Sequence, residues 1–210
     1  KHEILGIIPK SYLPHTQEFS ENRYFVAGVD ILDESINVLG KEIPFGQFVF
    51  TSEDGLVQFG VEICEDYWEP FAPNDLLYSN GAHIVFNTSA SPEVVGKADK
   101  RSALAKVASY KNRGAYIYTS TNSSDSTSEV VFSNHKMIYE IGEIVEDVNN
   151  FNLDSDFIIG DIDISRIHFM RRTSSGNKNT FNRFEKLRKI GFHLLVSDNY
   201  EFIKKLDLEP

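Results

Sequence analysis

The chain has 210 residues, enough for one domain with a sizeable core, and its 41% hydrophobic and 25% charged residues are the balance of an ordinary globular protein. A net charge of −10, with Lys and Arg clustered only near 183–189, argues against the broad basic surface a nucleic-acid binder needs. No apolar run approaches the ~20 residues of a membrane-spanning helix, no secretory signal is visible, and a lone cysteine, Cys64, rules out an internal disulfide framework and fits a reducing cytoplasm.

Residues 2–9, HEILGIIP, read as a strand ended by Pro9. The chain begins inside this strand and without Met, so the front of the natural protein is expected to be missing. A loop and a short helical piece follow through Phe25. The run from Ile43 to Cys64 reads as two strands joined by a tight turn at Glu53-Asp54-Gly55. A short helix is expected over Asn74–Ser79, with Asn74 as N-cap and a stop at Asn80-Gly81. Ala82–Asn87 reads as a buried strand. Ala103, Leu104, Val107 and Ala108 recur at helical spacing in a helix from Lys97 to Arg113, stopped at Gly114. AYIYTSTN is the next strand, two more turn at Ile141-Gly142, and DFIIGDIDISRI reads as another. TSSGNKNT is polar and Gly/Ser-rich, hence a mobile loop, and a helix-like stretch and a strand over GFHLLV close the chain.

Alternating strands and helices indicate an α/β fold, whose ligand side lies at the carboxyl ends of the strands. Two reactive residues fall at such ends, Lys10 after LGIIP and Cys64 after FGVEI. A lone Cys after an apolar strand is a buried small hydrophobe or a nucleophile. For the second role its acidic neighbours Glu65 and Asp66 disfavour a thiolate, so a cation must come from elsewhere. His2, His15, His83, His135, His168 and His193 show neither a cysteine-protease signature nor zinc-site spacing, so no metal site is expected. The remaining cation is Lys10, although its position alone favours an ordinary solvated surface charge.

Five blocks, GIIPKSYLP, EFSENRYF, IPFG, GVEICEDYWEP and GAHIVFNTSASPEVVGK, in this order and spacing resemble the glutaminase domain of glutamine-dependent NAD synthetases, in the nitrilase (carbon–nitrogen hydrolase) superfamily. The resemblance implies a four-layer α-β-β-α sandwich lacking its first β-α units. It implies a hydrolase domain over 1–172, then a mobile loop and tail over 173–210 leading to an absent C-terminal synthetase domain. It further implies glutamine amide hydrolysis through a Cys thioester. The ammonia would serve ATP-dependent amidation of nicotinic acid adenine dinucleotide to NAD. ATP and Mg²⁺ then belong to the second domain, and this chain needs no cofactor. Partners implied are glutamine, that domain and further copies in a homo-oligomer, with no nucleic acid or membrane, in the cytoplasm.

Matched to the superfamily's Glu-Lys-Cys set, the lysine is Lys10 and the nucleophile Cys64. The general-base glutamate belongs to a segment upstream of Lys10; Glu3 is too close on the same strand. A second glutamate that supports the lysine matches Glu21 in preference to Glu18. Ser91 and Lys97 would contact glutamine, Glu65 and Trp68 would line the pocket, and Thr16 stands where the family commonly has a tyrosine. The bland roles are a solvated carboxylate for Glu65, a core anchor for Trp68 and a helix cap for Ser91. Two other functions stay open: another amidase or carbamoylase of the superfamily, and a catalytically incomplete scaffold fragment.

Overall fold

Apolar strands with β-branched and aromatic residues build the centre of the molecule. The computed structural model describes residues 3–15, 19–125, 129–174, 176 and 186–194. A hairpin of β1 (Asp33–Val38) and β2 (Lys41–Gly46) stands apart as a two-stranded sheet. Leu39 and Gly40 at its tip both have positive φ, the geometry that matches the twist of paired strands. Among the described residues seven strands form the main sheet, in the order β8-β7-β6-β5-β4-β3-β9. They are β3 (Phe48–Ser52), β4 (Gln58–Ile63), β5 (Ile84–Ser89), β6 (Ala115–Ser120), β7 (Lys136–Glu140), β8 (Glu143–Val148) and β9 (Arg188–Phe192). β4, β5 and β6 run parallel, so their carboxyl ends share one edge. The mixed α/β class is as expected.

Helices α1 (Pro73–Ser79) and α2 (Lys97–Asn112) cover one face, burying Leu77, Tyr78, Ala105 and Ala108 against Val85, Tyr116, Tyr118 and Met137. Gly60 permits α1 to approach β4: a Cβ there would meet the Leu77 side chain at 2.6 Å. Helix α3 (Ile164–Thr173) caps a corner of the sheet, with Ile167 packed against Ala115 and Ile141. Elsewhere Phe50, Phe59, Phe86 and Phe192 form a stacked and edge-to-face aromatic group.

Several expectations are corrected. Residues 3–9 form no strand: Ile7 alone bridges to Phe45, through Ile7 N to Pro44 O at 2.8 Å and Gly46 N to Ile7 O at 3.1 Å. Pro9 and Pro44 lack the N–H groups a longer ladder would use. The expected strand over 156–167 is an extended piece followed by α3. Gly160 lies against the sheet, where a Cβ would touch Val145 and Ile138, and Ile162 packs on the core, but Phe157 and Ile159 are exposed; Asp163 starts the helix by accepting from Arg166 N at 2.8 Å. Asn74 is not a cap; Ala72 holds that position with Pro73 after it, and the Asn74 side chain turns inward. β9 begins three residues before the expected GFHLLV strand and pairs in parallel with β3, which joins part of the 173–210 segment to the main sheet. Most of TSSGNKNT, the helix-like stretch after it, and residues 195–210 lie outside the described residues.

Candidate active site at the carboxyl ends of the parallel strands

Cys64 follows the last residue of β4 and opens a tight 3₁₀ turn through Trp68. Its φ is +50°, a left-handed conformation that costs a non-glycine residue about 1 kcal/mol and survives only where neighbours over-determine it. Asp66 supplies that constraint. One carboxylate oxygen accepts from Ile63 N at 3.0 Å, and the other accepts from Tyr12 N at 2.8 Å. Asp66 is completely buried, and burial pushes its carboxyl up to about 6 although backbone N–H groups and Lys10 pull the other way. The Cys64 side chain is half-buried.

The Lys10 segment is pinned from several sides. Gly28 N donates to Lys10 O at 2.9 Å, and the buried Gln47 amide donates to Pro9 O at 3.3 Å and Ser11 Oγ at 3.1 Å. Lys10 Nζ pairs with Glu21 Oε2 at 2.6 Å, both side chains partly buried. Glu21 is the partner available; Glu18 and Thr16 lie outside the described residues.

Glu65 reports on its surroundings. Burial raises its carboxyl pKa, the charge of Glu69 adds to the rise, and the charges of Lys10 and Lys97 oppose it. Lys10, Lys97, Glu21 and Glu65 therefore share one electrostatic neighbourhood. Lys97, the first residue of α2, sets its ammonium 5.5 Å from the centre of the Trp68 ring, a cation–π contact. Ser91 follows β5, whose Thr88 lies opposite Ile63 of β4. Its backbone N donates to Ser120 Oγ at 3.1 Å, while its own hydroxyl is buried with no partner among the described residues. Lys10, Glu21, Glu65, Trp68 and Lys97 thus gather around the Cys64 turn, with Ser91 past the neighbouring strand end.

Three anchoring groups carry no motif that marks them in the sequence. By sequence Asp66 is only a charge unfavourable to Cys64. Glu62, inside an apolar strand, is wholly buried; it accepts from Asn74 N at 2.8 Å, from Asn74 Nδ2 and from the Tyr116 hydroxyl, and burial lifts it to about 7. Its place between Val61 and Ile63 was the available signal, because a carboxylate on a buried strand needs dedicated partners. Glu93 pairs with the wholly buried Arg101 of α2 and also accepts from Ser133 Oγ at 2.6 Å. Among the described residues no group of three or more His, Cys, Asp or Glu side chains is placed to hold a metal ion. Buried His83 is pushed down to about 3 by desolvation and contacts His168 with ring centres 4.3 Å apart.

No family model matches the chain. Among curated proteins it is 33% identical over 198 residues to a glutamine-dependent NAD(+) synthetase of Mycobacterium leprae, a match covering 91% of this chain and 29% of that protein. The corresponding protein of Mycobacterium tuberculosis H37Rv is 31% identical over 197 residues with the same coverages, 91% and 29%. The chain thus spans less than a third of the length of these relatives. Among solved structures, the glutamine-dependent NAD(+) synthetase of Cytophaga hutchinsonii aligns with a TM-score of 0.58 at 24% identity, over 68% of this chain and 22% of that one. A carbon–nitrogen hydrolase of Helicobacter pylori G27 aligns with a TM-score of 0.58 at 16% identity, over 84% of this chain and 61% of its own. The first pair carries the kinship in sequence and the second the shared fold: the chain belongs to the glutamine-dependent NAD(+) synthetase family, of which it carries a domain with the nitrilase-type fold.

Proposed function

We propose that this domain hydrolyses the side-chain amide of glutamine through a thioester on Cys64, with Lys10 as the partner cation. The observation that carries the proposal is the joint anchoring of the two residues. Cys64 is held in a left-handed turn at a strand end, and the Lys10 segment is hydrogen-bonded to the same buried Asp66.

Cys64 sulfur attacks the carboxamide carbon, and its proton passes to a general base, which the resemblance places on a glutamate upstream of Lys10 in the intact protein. Lys10 stabilises the thiolate and, with the backbone N–H of Glu65, the oxyanion that develops as the C–S bond forms. Collapse of the tetrahedral species breaks the C–N bond, and the base returns its proton to the departing nitrogen, which leaves as ammonia. Water then attacks the thioester carbonyl, releasing glutamate and restoring the thiol. Lys97 offers positive charge for the glutamine α-carboxylate, held by the Trp68 ring, and the Ser91 hydroxyl, without a partner among the described residues, is available to a substrate polar group. The aromatic packing that a tyrosine would supply at position 16 is replaced by Thr16.

In the intact protein the ammonia would feed ATP- and Mg²⁺-dependent amidation in a separate synthetase domain; none of those groups takes part in a step on this chain. The test is Cys64→Ala in that protein. Glutamine-dependent NAD formation is expected to vanish while formation from added ammonia persists. Retained turnover of glutamine would overturn the nucleophile, and preferred turnover of aliphatic amides or N-carbamoyl amino acids by the unsubstituted protein would overturn the substrate.

A further inference from the structure

Asp66 has no evident chemical step of its own, yet it joins the two segments on which the chemistry depends. Lys10 and Cys64 are 54 positions apart in sequence. The chain between them passes through the β1–β2 hairpin, β3 and β4 before it returns. Asp66 closes that long excursion. Its Oδ1 accepts from Tyr12 N, two residues beyond Lys10, and its Oδ2 accepts from Ile63 N, the residue before Cys64. A third backbone donor, from Ser11, also acts on this carboxyl. With Asp66 fully buried, water does not compete for these bonds.

The residue type matters. Two acceptor oxygens on one short, stiff side chain can serve donors from two segments at once. Asparagine keeps one acceptor and turns an NH₂ toward a backbone N–H, so one segment is released. Glu62, two residues before Cys64, illustrates the contrast: its carboxylate faces Asn74 of α1 and Tyr116 of β6, and none of its hydrogen bonds reaches the Lys10 segment.

We infer that Asp66 is a positioning residue that sets Lys10 in register with Cys64. The inference rests on the glutaminase proposal for its kinetic readout. A displacement of ~1 Å between catalytic groups is enough to lower a rate about 10²-fold.

The test uses the intact protein with Asp66→Asn. The kcat for ammonia release from glutamine is expected to fall roughly 10- to 100-fold, with KM within about threefold of its original value. In a Lys10→Ala background the same substitution is expected to lower kcat by less than about threefold, because the register it protects no longer matters. An unchanged kcat, a loss confined to KM, or a full additional loss in the Lys10→Ala background would each overturn the inference.

A second readout needs no glutamine: the rate at which iodoacetamide alkylates Cys64. A nearby ammonium favours the thiolate, so Lys10→Ala and Asp66→Asn should each slow alkylation, and the two should not add. Slowed alkylation in a protein that never releases ammonia from glutamine would sink the glutaminase proposal and leave the role of Asp66 standing. Normal alkylation by the variant of an active protein would sink Asp66 alone. If Asp66→Asn does not fold, Asp66→Ser, which also keeps an acceptor, replaces it; failure of both to fold assigns Asp66 to folding and overturns the positioning role.

Discussion

Lys10 and Glu21 meet at 2.6 Å with both side chains partly exposed. Such a pair adds at most about 1 kcal/mol to stability, whereas a correctly aimed oxyanion donor is worth about 3 kcal/mol in the transition state. The contact therefore matters for where it holds the ammonium. Lys10→Ala in the intact protein is expected to reduce glutaminase kcat about 10²- to 10³-fold with little change in thermal stability, measured by steady-state ammonia release and a melting curve. Near-normal turnover would remove Lys10 from the mechanism. At this scale the sequence was informative where motif and position coincided: Cys64, Lys10, Glu21, Glu65, Trp68 and Lys97 occupy one neighbourhood. It showed only one effect of Asp66, because the carboxylate that disfavours a thiolate through charge also stabilises the turn through directed hydrogen bonds. Only the fold, by bringing Tyr12 N within 2.8 Å, decides which effect Asp66 exerts.

Among the elements, α2 is tied to the loop after β5 by a buried charge. Arg101 is wholly buried, and two of its nitrogens, Nε and Nη1, have no hydrogen-bond partner among the described residues, so Glu93 is its counter-charge there. Removing one partner of a buried pair leaves the other charge uncompensated, which costs about 3–5 kcal/mol. Glu93→Ala is expected to destabilise the protein by that amount in urea denaturation, and a loss under about 1 kcal/mol would show that water reaches Arg101. Elements with their own local signal were legible. The turn at Glu53-Asp54-Gly55 joins β3 and β4, the positive φ angles of Ile141 and Gly142 join β7 and β8, and α2 ends before Gly114. Residues 3–9 and 156–163 carry strand-like apolar alternation as well, but alternation reports only that one side is buried. Prolines deny the first a full ladder, and the second touches the core at Gly160 and Ile162, leaving Phe157 and Ile159 exposed and the sheet unjoined.

Across the whole molecule, buried carboxylates set a pH dependence whose sign follows from their direction of shift. Burial raises Glu62 from 4.5 to about 7 and Asp66 to about 6. In both cases the fold favours the protonated acid. The Glu62 contribution is fully present below its unfolded value near 4.5, declines as the unfolded chain ionises, and is lost as pH rises through about 7. A shift of that size corresponds to about 3 kcal/mol. Urea denaturation should therefore show the parent protein losing about 3 kcal/mol relative to Glu62→Gln between pH 4.5 and 7.5, since glutamine does not titrate. Parallel profiles would show that Glu62 ionises normally within the fold.

The sequence by itself determined the α/β class, the apolar strands before Cys64 and over Ala82–Asn87, and the ordered motifs that mark the family. Those properties are written in local periodicity, turn residues and short contiguous blocks, and each can be read without knowing where the chain returns. Tertiary structure alone decided that β9 completes the sheet beside β3, that Glu62 and Asp66 are buried and bonded, and that Lys10 and Cys64 share one anchor. Those outcomes depend on contacts between residues tens of positions apart. Desolvation there turns an ordinary carboxylate into either a liability or a brace, according to which backbone N–H groups the fold delivers to it.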